Sequence, residues 1–468
     1  MSRSMSNFLW IFANLLFAII GMAFMEYDKF YYVLALLGGL QLLLAIYIDV
    51  KSETSLFNAL VLYEVIMYLF LFGQCLMWII TEEYSGRNII EIYSKSDIQK
   101  AEIFTLFSMF FFHLALFNTR GRKERVLSES RMGGISSSMY FCGKILLCVS
   151  LIPEIVYNIR IFIIAQTLGY IGIYTTATSA LLQVFLNIRE FFFPAVVLIF
   201  CSGRLNSNLL KRFLIGIIII DASVSLYVGS RSDAIMQILS LVLMYSILNG
   251  KKAERKSILK YVALFVALIV VADVVRVIRI IPDRNMSTFF EYLFNPGSGS
   301  SDNMIISLMG ELGNTMSTLI ETMKLVPSQY AHLHGSSYLY ALTWILPGFL
   351  TGDIWMKASM NNWIDTVRYT GSGWGFSTTA EAYFNFGYMG VLVFLVVGFV
   401  VAKLFKKLDR NFYQRNPVEF ALSFILFNRL LIFSRIDFLS TLPTIVYFYF
   451  GIKFFIYIVE KAFIKRTL

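Results

Sequence analysis

Four arginines stand out in this sequence because each lies near the end of an apolar run: Arg231, Arg276, Arg279 and Arg284. A guanidinium group binds phosphate through two parallel hydrogen bonds, which a lysine ammonium does not. Arg276 and Arg279 are three residues apart, so on a helix they share one face, where like charges repel unless an anion lies between them. These side chains therefore predict a binding site for phosphate or pyrophosphate.

An ordinary structural explanation exists for the same arginines, and the sequence leaves it open. In GSRSD, Gly229 favours a tight turn, and Asp233 is near enough to form a local pair with Arg231. In VADVVRVIRIIPDR, aspartates flank the arginines, whose side chains would extend into the headgroup region of a membrane. Either arrangement would place these residues here without a ligand.

Two further residues, Glu381 and His334, have side chains that accept protons. Glu381 lies at the predicted start of a helix, where the dipole favours a carboxylate and a preceding threonine would form the cap. In an apolar site the same carboxylate would serve as a general base. His332 and His334 lack the accompanying cysteine or carboxylate pattern of a metal site, so we predict no metal. They are either surface residues or include one catalytic or substrate-binding histidine.

Several nucleotide- and metal-binding patterns are absent from the sequence. GxxxxGK[ST], HExxH and Asp-x-Asp do not occur. The sequence therefore predicts no P-loop for ATP, no metal grip on a nucleotide-sugar diphosphate and no cofactor. If the chain is a transferase, its donor carries its own anchor, as a lipid-linked pyrophosphate does.

The elements that position these residues are predicted to be membrane helices. Of the 468 residues, 57% are hydrophobic. Apolar runs of about 17–25 residues, enough to cross the hydrocarbon core, recur along the chain. The net charge of +10 comes from basic connections typical of cytoplasmic loops, so we predict no nucleic-acid partner. The four cysteines lie in apolar runs and are predicted to be buried.

The predicted fold is an all-α polytopic membrane protein with about 12 transmembrane helices. Residues 1–468 are predicted to form a single integral membrane domain. The predicted spans are 8–25, 30–50, 57–80, 103–118, 139–157, 187–202, 213–229, 232–249, 260–281, 383–402, 418–435 and 439–459.

The basic clusters predict the orientation of these spans. With both termini cytoplasmic, every cluster of Lys and Arg falls on the cytoplasmic side. Two long connections then lie outside: 158–186, and 282–382 between helices 9 and 10. The larger one is predicted to contain short membrane-associated helices, including one over DNMIISLMGELGNTMSTLIETMKL and an interfacial segment at 337–350.

Three stretches make the chain similar to a known family: the GSR turn with the apolar span to 249, HGSSYLYALTWILPGFL at 334–350, and AEAYFNFGYMGVLVFLVVGF at 380–399. With the predicted topology of the whole chain, they resemble the Wzy-type oligosaccharide repeat unit polymerases of bacterial O-antigen and capsule assembly. The resemblance implies a GT-C-like glycosyltransferase of the bacterial inner membrane, whose outer loops are periplasmic.

Such a polymerase would transfer the growing glycan from undecaprenyl pyrophosphate to the non-reducing end of a new lipid-linked unit. By this resemblance the four arginines named above would bind the pyrophosphate, and Glu381 or His334 would deprotonate the acceptor hydroxyl. The implied partners are undecaprenyl-pyrophosphate-linked oligosaccharides, the lipid bilayer and a regulator of chain length.

Three other classes of membrane protein stay open at this point. An O-antigen ligase-like glycosyltransferase would share the large outer loop and the arginines. A lipid-linked oligosaccharide flippase would favour two similar halves and charges near the midplane, and the sequence has neither feature. A scaffolding membrane protein is the third alternative.

Overall fold

The computed structural model of the chain describes residues 2–53, 58–84, 86–119, 129–176, 178–249, 304–345, 354–368 and 375–467. Within these ranges all regular secondary structure is helical. The principal helices, in chain order, are α1 Arg3–Ala23, α2 Phe30–Glu53, α3 Ala59–Trp78, α4 Lys95–Thr119, α5 Glu129–Thr175, α6 Ala180–Asn187, α7 Phe192–Cys201, α8 Asn208–Val228, α9 Arg231–Asn249, α10 Met304–Gly313, α11 Thr315–Leu325, α12 Ser336–Leu342, α13 Met360–Arg368, α14 Thr378–Phe386, α15 Val393–Phe405, α16 Pro417–Leu430 and α17 Ile452–Thr467.

Shorter helical segments join these helices. Single α-turns or short α-helices lie at Ile89–Ile92, Ile354–Ala358, Arg410–Arg415 and Phe438–Pro443. The 3₁₀ segments are Ile188–Phe191, Thr343–Ile345, Gly387–Leu392 and Phe433–Arg435, and Thr444–Gly451 is a π-helical segment that leads into α17.

Within the described ranges, nine segments are long and apolar enough to cross a membrane: Arg3–Ala23, Phe30–Ser52, Ala59–Trp78, Lys95–Thr119, Ile135–Gly169, Leu181–Cys201, Thr378–Phe405, Pro417–Arg435 and Phe438–Ala462. Ala234–Asn249 is a shorter apolar helix. The chain is therefore a multi-pass helical membrane protein, as predicted, while the count of about 12 spans stays a prediction. The predicted span 260–281 lies outside the described residues. α8 contains Lys211, Arg212 and Asp221 and is not among the nine.

Two predicted segments differ in detail from the structure. Most of 158–186, predicted as an outer loop, is helical, because α5 continues through the apolar residues after 157 and breaks only at Gly169, which has φ 68°. The helix predicted over the first part of the large loop is divided into α10 and α11 at Asn314. The prediction that all four cysteines are buried is wrong for Cys148, which is exposed on a membrane-length helix.

The chain divides into two compact units. The first comprises Met1–Lys123, Asp302–Lys406 and Leu430–Pro443, and the second comprises Glu124–Ser301, Lys407–Arg429 and Thr444–Leu468. In the first unit α3 is the central helix, and most of its side chains are buried. α4 packs along α15 so closely that a Cβ atom at Gly398 would collide with the carbonyl oxygen of Phe112. Such small residues are typical of tight helix crossings in membranes.

The second unit is built on α5, which packs against α7, α8 and α17. Its apolar core joins α5, α7 and α8. The buried members are Leu147, Phe192, Ala195, Val196, Ile199, Leu214 and Ile218. The polar side chains described below interrupt these otherwise apolar helices and are therefore candidates for function.

Candidate active site

A connected set of polar contacts in the first unit surrounds the start of α14. The helix is capped by Ser377, whose Oγ accepts a hydrogen bond from the backbone N–H of Ala380 at 3.1 Å. The predicted threonine cap is therefore wrong. Thr378 instead donates its hydroxyl to the carbonyl oxygen of Phe433 at 2.6 Å. Together these bonds fix where α14 begins and place Glu381 in its first turn, as predicted.

Glu381 is 1% exposed, and both oxygens of its carboxylate accept hydrogen bonds. The hydroxyl of Ser337 donates to Oε1 at 2.7 Å, and the backbone N–H of Phe438 donates to Oε2 at 2.7 Å. A buried carboxylate is stable only with partners of this kind. Glu381 thus ties α14 to α12 and to the segment that begins at Phe438.

Asn385 lies one helical turn after Glu381 and completes the same set of contacts. Its Nδ2 donates to Ser337 Oγ at 2.8 Å and to the carbonyl oxygen of Glu381 at 2.8 Å. Its Oδ1 accepts from the backbone N–H of Gly335 at 3.0 Å. We call Ser337, Glu381 and Asn385 the Glu381 cluster. It holds one end of a short backbone segment that carries the two predicted histidines, through bonds from Gly335 and His334 to Asn385.

This histidine segment, residues 332–335, runs beside the end of α14. The backbone N–H groups of Leu333 and His334 donate to the carbonyl oxygens of Phe384 and Asn385, at 3.1 and 2.9 Å. These carbonyls lie at the end of the helix, where they have no partner within it. The segment therefore caps α14 and is fixed to it by backbone bonds.

His334 has an unusual backbone conformation. Its φ is 50°, the one positive value for a residue other than glycine in the described part of the chain, and Gly335 follows with φ 88°. Strained backbone of this kind costs about 1–3 kcal/mol and is often found at functional sites. The side chain of His334 is exposed, and its ring centroid lies 6.4 Å from that of His332. Two imidazoles therefore lie close together beside α14, one of them on strained backbone.

The structure places the predicted arginines only in part. Arg231 is the first residue of α9, directly after the turn in which Gly229 has φ 106° and ends α8. The prediction that Gly229 supplies this turn is confirmed. Arg276, Arg279 and Arg284 lie outside the described residues, so the pyrophosphate site stays a prediction.

The second unit contains a different polar cluster, which joins helices long enough to span a membrane. Arg189 Nη2 lies 3.1 Å from Glu190 Oε1, and its guanidinium carbon lies 3.5 Å from the ring centroid of Tyr157. Arg429 of α16 forms an ion pair with the other oxygen of Glu190. We call Tyr157, Arg189, Glu190 and Arg429 the Glu190 cluster. Two guanidinium groups therefore share the carboxylate of Glu190.

A neighbouring part of α5 also holds polar groups inside the second unit. Asn158 Nδ2 donates to Glu154 Oε1 at 3.0 Å and to Asp221 Oδ1 at 3.1 Å. Glu154 is 3% exposed and Asn158 is 7% exposed. One amide therefore links two acidic side chains from α5 and α8, which explains how Asp221 is accommodated in an apolar helix.

Sequence reasoning assigned no role to Ser337, Asn385 or Arg429, although the first two lie in the stretches that carry the family resemblance. Ser337 and Asn385 are small polar residues in apolar surroundings, and no single-residue signal separates them from solvent-facing positions. Asn385 has a further sequence signal in its i, i+4 spacing from Glu381, which places both on one face of a helix. Arg429 lies within the predicted span 418–435. A charged residue inside a membrane span is a signal of function, and this signal could have identified Arg429.

A family model described as O-antigen polysaccharide polymerase Wzy matches residues 5–467. No curated protein and no solved structure matches the chain.

Proposed function

Because the chain belongs to the O-antigen polysaccharide polymerase Wzy family, we propose that it joins undecaprenyl-pyrophosphate-linked repeat units at the periplasmic face of the inner membrane. The growing glycan leaves its undecaprenyl pyrophosphate and is joined to the non-reducing end of a new lipid-linked unit. The match over residues 5–467 carries this proposal. The nine membrane-length segments in the described ranges support a lipid-linked substrate.

The energy for the transfer is contained in the donor. A glycosyl pyrophosphate carries its own leaving group, which agrees with a sequence that lacks a P-loop. Negative charge develops on the pyrophosphate as the bond to the sugar breaks, and arginines stabilise such charge. We propose Arg231, Arg276 and Arg279 for this role, with Arg284 assisting.

The acceptor hydroxyl must lose its proton as it attacks the anomeric carbon. We propose that this occurs at the histidine segment and the Glu381 cluster, for which the sequence predicts Glu381 or His334. The cluster is buried and fully hydrogen-bonded, and it holds the histidine segment in a strained conformation. A base held in one position beside its substrate accelerates proton transfer by about 10²–10⁴-fold.

Purified protein in proteoliposomes, supplied only with lipid-linked repeat units, tests the proposed reaction. A polymerase converts short units into a ladder of longer ones. Movement of units across the bilayer without extension would identify a flippase, and a requirement for lipid A–core would identify a ligase. Either result would overturn the proposal.

Single substitutions test the arginines in the same assay. Arg231→Ala and Arg279→Ala should each abolish the ladder and leave membrane insertion unchanged. Arg212→Ala is the matched control, because Arg212 is exposed near the start of α8, on the predicted cytoplasmic side. Glycan of wild-type length from both arginine variants would exclude these side chains as the pyrophosphate site.

A further inference from the structure

We infer that His332, through its Nε2 atom, takes the proton from the acceptor hydroxyl, and that the Glu381 cluster positions this histidine. The inference rests on the proposed polymerase function and deepens it by naming the proton-accepting atom. Three side chains at this site could accept the proton: those of His332, His334 and Glu381.

The tautomer of His332 is fixed by one hydrogen bond. Its Nδ1 lies 3.2 Å from the carbonyl oxygen of Phe384. A carbonyl oxygen only accepts hydrogen bonds, so Nδ1 carries the hydrogen. A neutral imidazole has one N–H group, and Nε2 therefore carries the lone pair. A histidine oriented through Nδ1 in this way is prepared to accept a proton at Nε2, and the carbonyl then stabilises the imidazolium.

Two further residues, Tyr383 and Gly387, lie close to the ring of His332. The aromatic ring of Tyr383 packs edge to face against it, with centroids 5.9 Å apart. Gly387 lies near the Cε1–Nε2 edge of the imidazole, where a Cβ atom would stand 3.2 Å from Cε1 and 3.3 Å from Nε2. Gly387 has φ 57°, a conformation that favours glycine. A side chain at this position would crowd Nε2, and the glycine avoids that contact.

The other two candidates are less suited to accept the proton. Both oxygens of Glu381 already accept hydrogen bonds, and the residue is 1% exposed, so substrate would have to displace Ser337 or Phe438. The imidazole of His334 is exposed and makes no hydrogen bond among the contacts of the described residues. Neither its tautomer nor its orientation is fixed.

The Glu381 cluster then acts on His332 through the backbone. Asn385 accepts from Gly335 and offers its carbonyl to His334, while the preceding carbonyl of Phe384 binds both Leu333 and His332. The bonds of Glu381 and Ser337 fix Asn385 in turn. Glu381, Ser337 and Asn385 are positioning residues for the imidazole.

The proposed step balances without a further reactant. The acceptor oxygen forms a bond to the anomeric carbon of the growing glycan, and its proton moves to His332 Nε2. The bond from that carbon to the pyrophosphate oxygen breaks, and the electron pair leaves with the lipid pyrophosphate. The imidazolium then releases its proton to water and returns to the same tautomer.

The decisive variant is His332→Asn, measured in the proteoliposome ladder assay. An asparagine amide can replace Nδ1–H as the donor to Phe384 but has no basic nitrogen. If His332 is the base, turnover falls by about 10²–10⁴-fold while KM for the lipid-linked unit changes little. Near-normal turnover of His332→Asn, with a wild-type ladder, would overturn the inference and leave the polymerase function standing. A wild-type protein that makes no ladder would instead overturn the function itself.

Three further measurements keep the test independent of folding. His332→Ala should regain part of its turnover as free imidazole is added, which a structural histidine would not show. His334→Asn separates the two imidazoles, because asparagine also adopts the left-handed conformation. Loss of turnover in His334→Asn with an active His332→Asn would assign the base to His334. Glu381→Gln tests the carboxylate apart from its positioning bonds, since a glutamine amide can accept from Phe438 and donate to Ser337. Loss of turnover in Glu381→Gln with an active His332→Asn would assign the base to Glu381.

Discussion

The Glu381 cluster and the Glu190 cluster stabilise a carboxylate in two different ways. Each contains a carboxylate in a membrane-length segment. Around Glu381, neutral donors meet the carboxylate, and the residue is 1% exposed. Around Glu190, two guanidinium groups meet it, and the side chains of Arg189, Glu190 and Arg429 are 28%, 31% and 36% exposed.

The two clusters therefore differ in their main interaction, which is directional hydrogen bonding around Glu381 and ion pairing around Glu190. Neutral hydrogen bonds are directional and short-ranged, so the Glu381 cluster fixes the position of a backbone segment. Ion pairs depend mainly on charge and distance and tolerate variation in angle. The first cluster is therefore suited to orienting a reacting group, and the second to holding helices together.

The largest expected effect is that of Glu381→Leu. The substitution leaves the Ser337 hydroxyl and the Phe438 N–H buried without an acceptor, at about 1–3 kcal/mol each. We expect the free energy of unfolding to fall by about 2–6 kcal/mol. The ladder should disappear, because the histidine segment is released. Thermal unfolding in detergent and the ladder assay measure the two effects.

The control for this variant is Glu26→Leu, because Glu26 is an exposed glutamate between α1 and α2. It should keep the wild-type unfolding temperature and activity. Equal unfolding temperatures for Glu381→Leu and Glu26→Leu would show that the Glu381 cluster does not stabilise the first unit.

The same conservative substitution in both clusters sharpens the comparison. Glu381→Gln keeps two hydrogen bonds and should cost about 1 kcal/mol. Glu190→Gln removes the only charge between Arg189 and Arg429 within this cluster, and for partly exposed pairs the loss is also about 1 kcal/mol. The losses should differ in their response to salt. At about 1 M ionic strength the Debye length is about 3 Å, so the deficit of Glu190→Gln should shrink and that of Glu381→Gln should not.

Unfolding temperatures of the two glutamine variants and the wild type, at low and high ionic strength, measure this difference. A deficit that shrinks equally in both variants would mean that Glu381 also acts mainly through its charge. Glu26→Gln serves as the exposed reference for any general effect of salt on glutamate substitutions.

Hydropathy predicted the first helices well and the site only in part. The predicted spans 30–50 and 57–80 correspond to α2 and α3, because continuous apolar runs between polar residues leave few alternatives. Glu381 was predicted from its place at a helix start. The partners of Glu381 could not be predicted, because Ser337 is 44 residues away and reaches it only through tertiary packing. The fixed tautomer of His332 depends on a backbone carbonyl, which sequence does not reveal.

A smaller effect is expected for Ser337→Ala. Oε1 of Glu381 and Nδ2 of Asn385 each lose one partner, but Oε2 keeps Phe438 and Nδ2 keeps the carbonyl of Glu381. We expect a loss of about 1–2 kcal/mol in the free energy of unfolding and a partial loss of turnover. Ser328→Ala is the control, because Ser328 is exposed and bonds only within its own turn. Turnover as low as that of His332→Asn would show that the hydroxyl of Ser337 itself takes part in the reaction.

The smallest effect is expected at the next residue, Tyr338. Its ring packs against Phe386 and Phe438, with centroids 6.2 and 5.4 Å away. Its hydroxyl is buried and has no hydrogen-bond partner within the described part of the chain. Burial, with a smaller contribution from Glu381, raises the pKa of this phenol well above its usual value, so the hydroxyl stays neutral.

Tyr338→Phe keeps both ring contacts and removes a buried hydroxyl that has no described partner. Removing such a group is nearly neutral or stabilising, so the free energy of unfolding should change by less than about 0.5 kcal/mol. Adjacent residues thus differ in one respect: the hydroxyl of Ser337 has two partners, and that of Tyr338 has none among the described residues. If hydrogen bonding governs this cluster, Ser337→Ala should lower the unfolding temperature and Tyr338→Phe should not. A rise in KM for Tyr338→Phe without a change in stability would instead show that this hydroxyl binds the lipid-linked substrate.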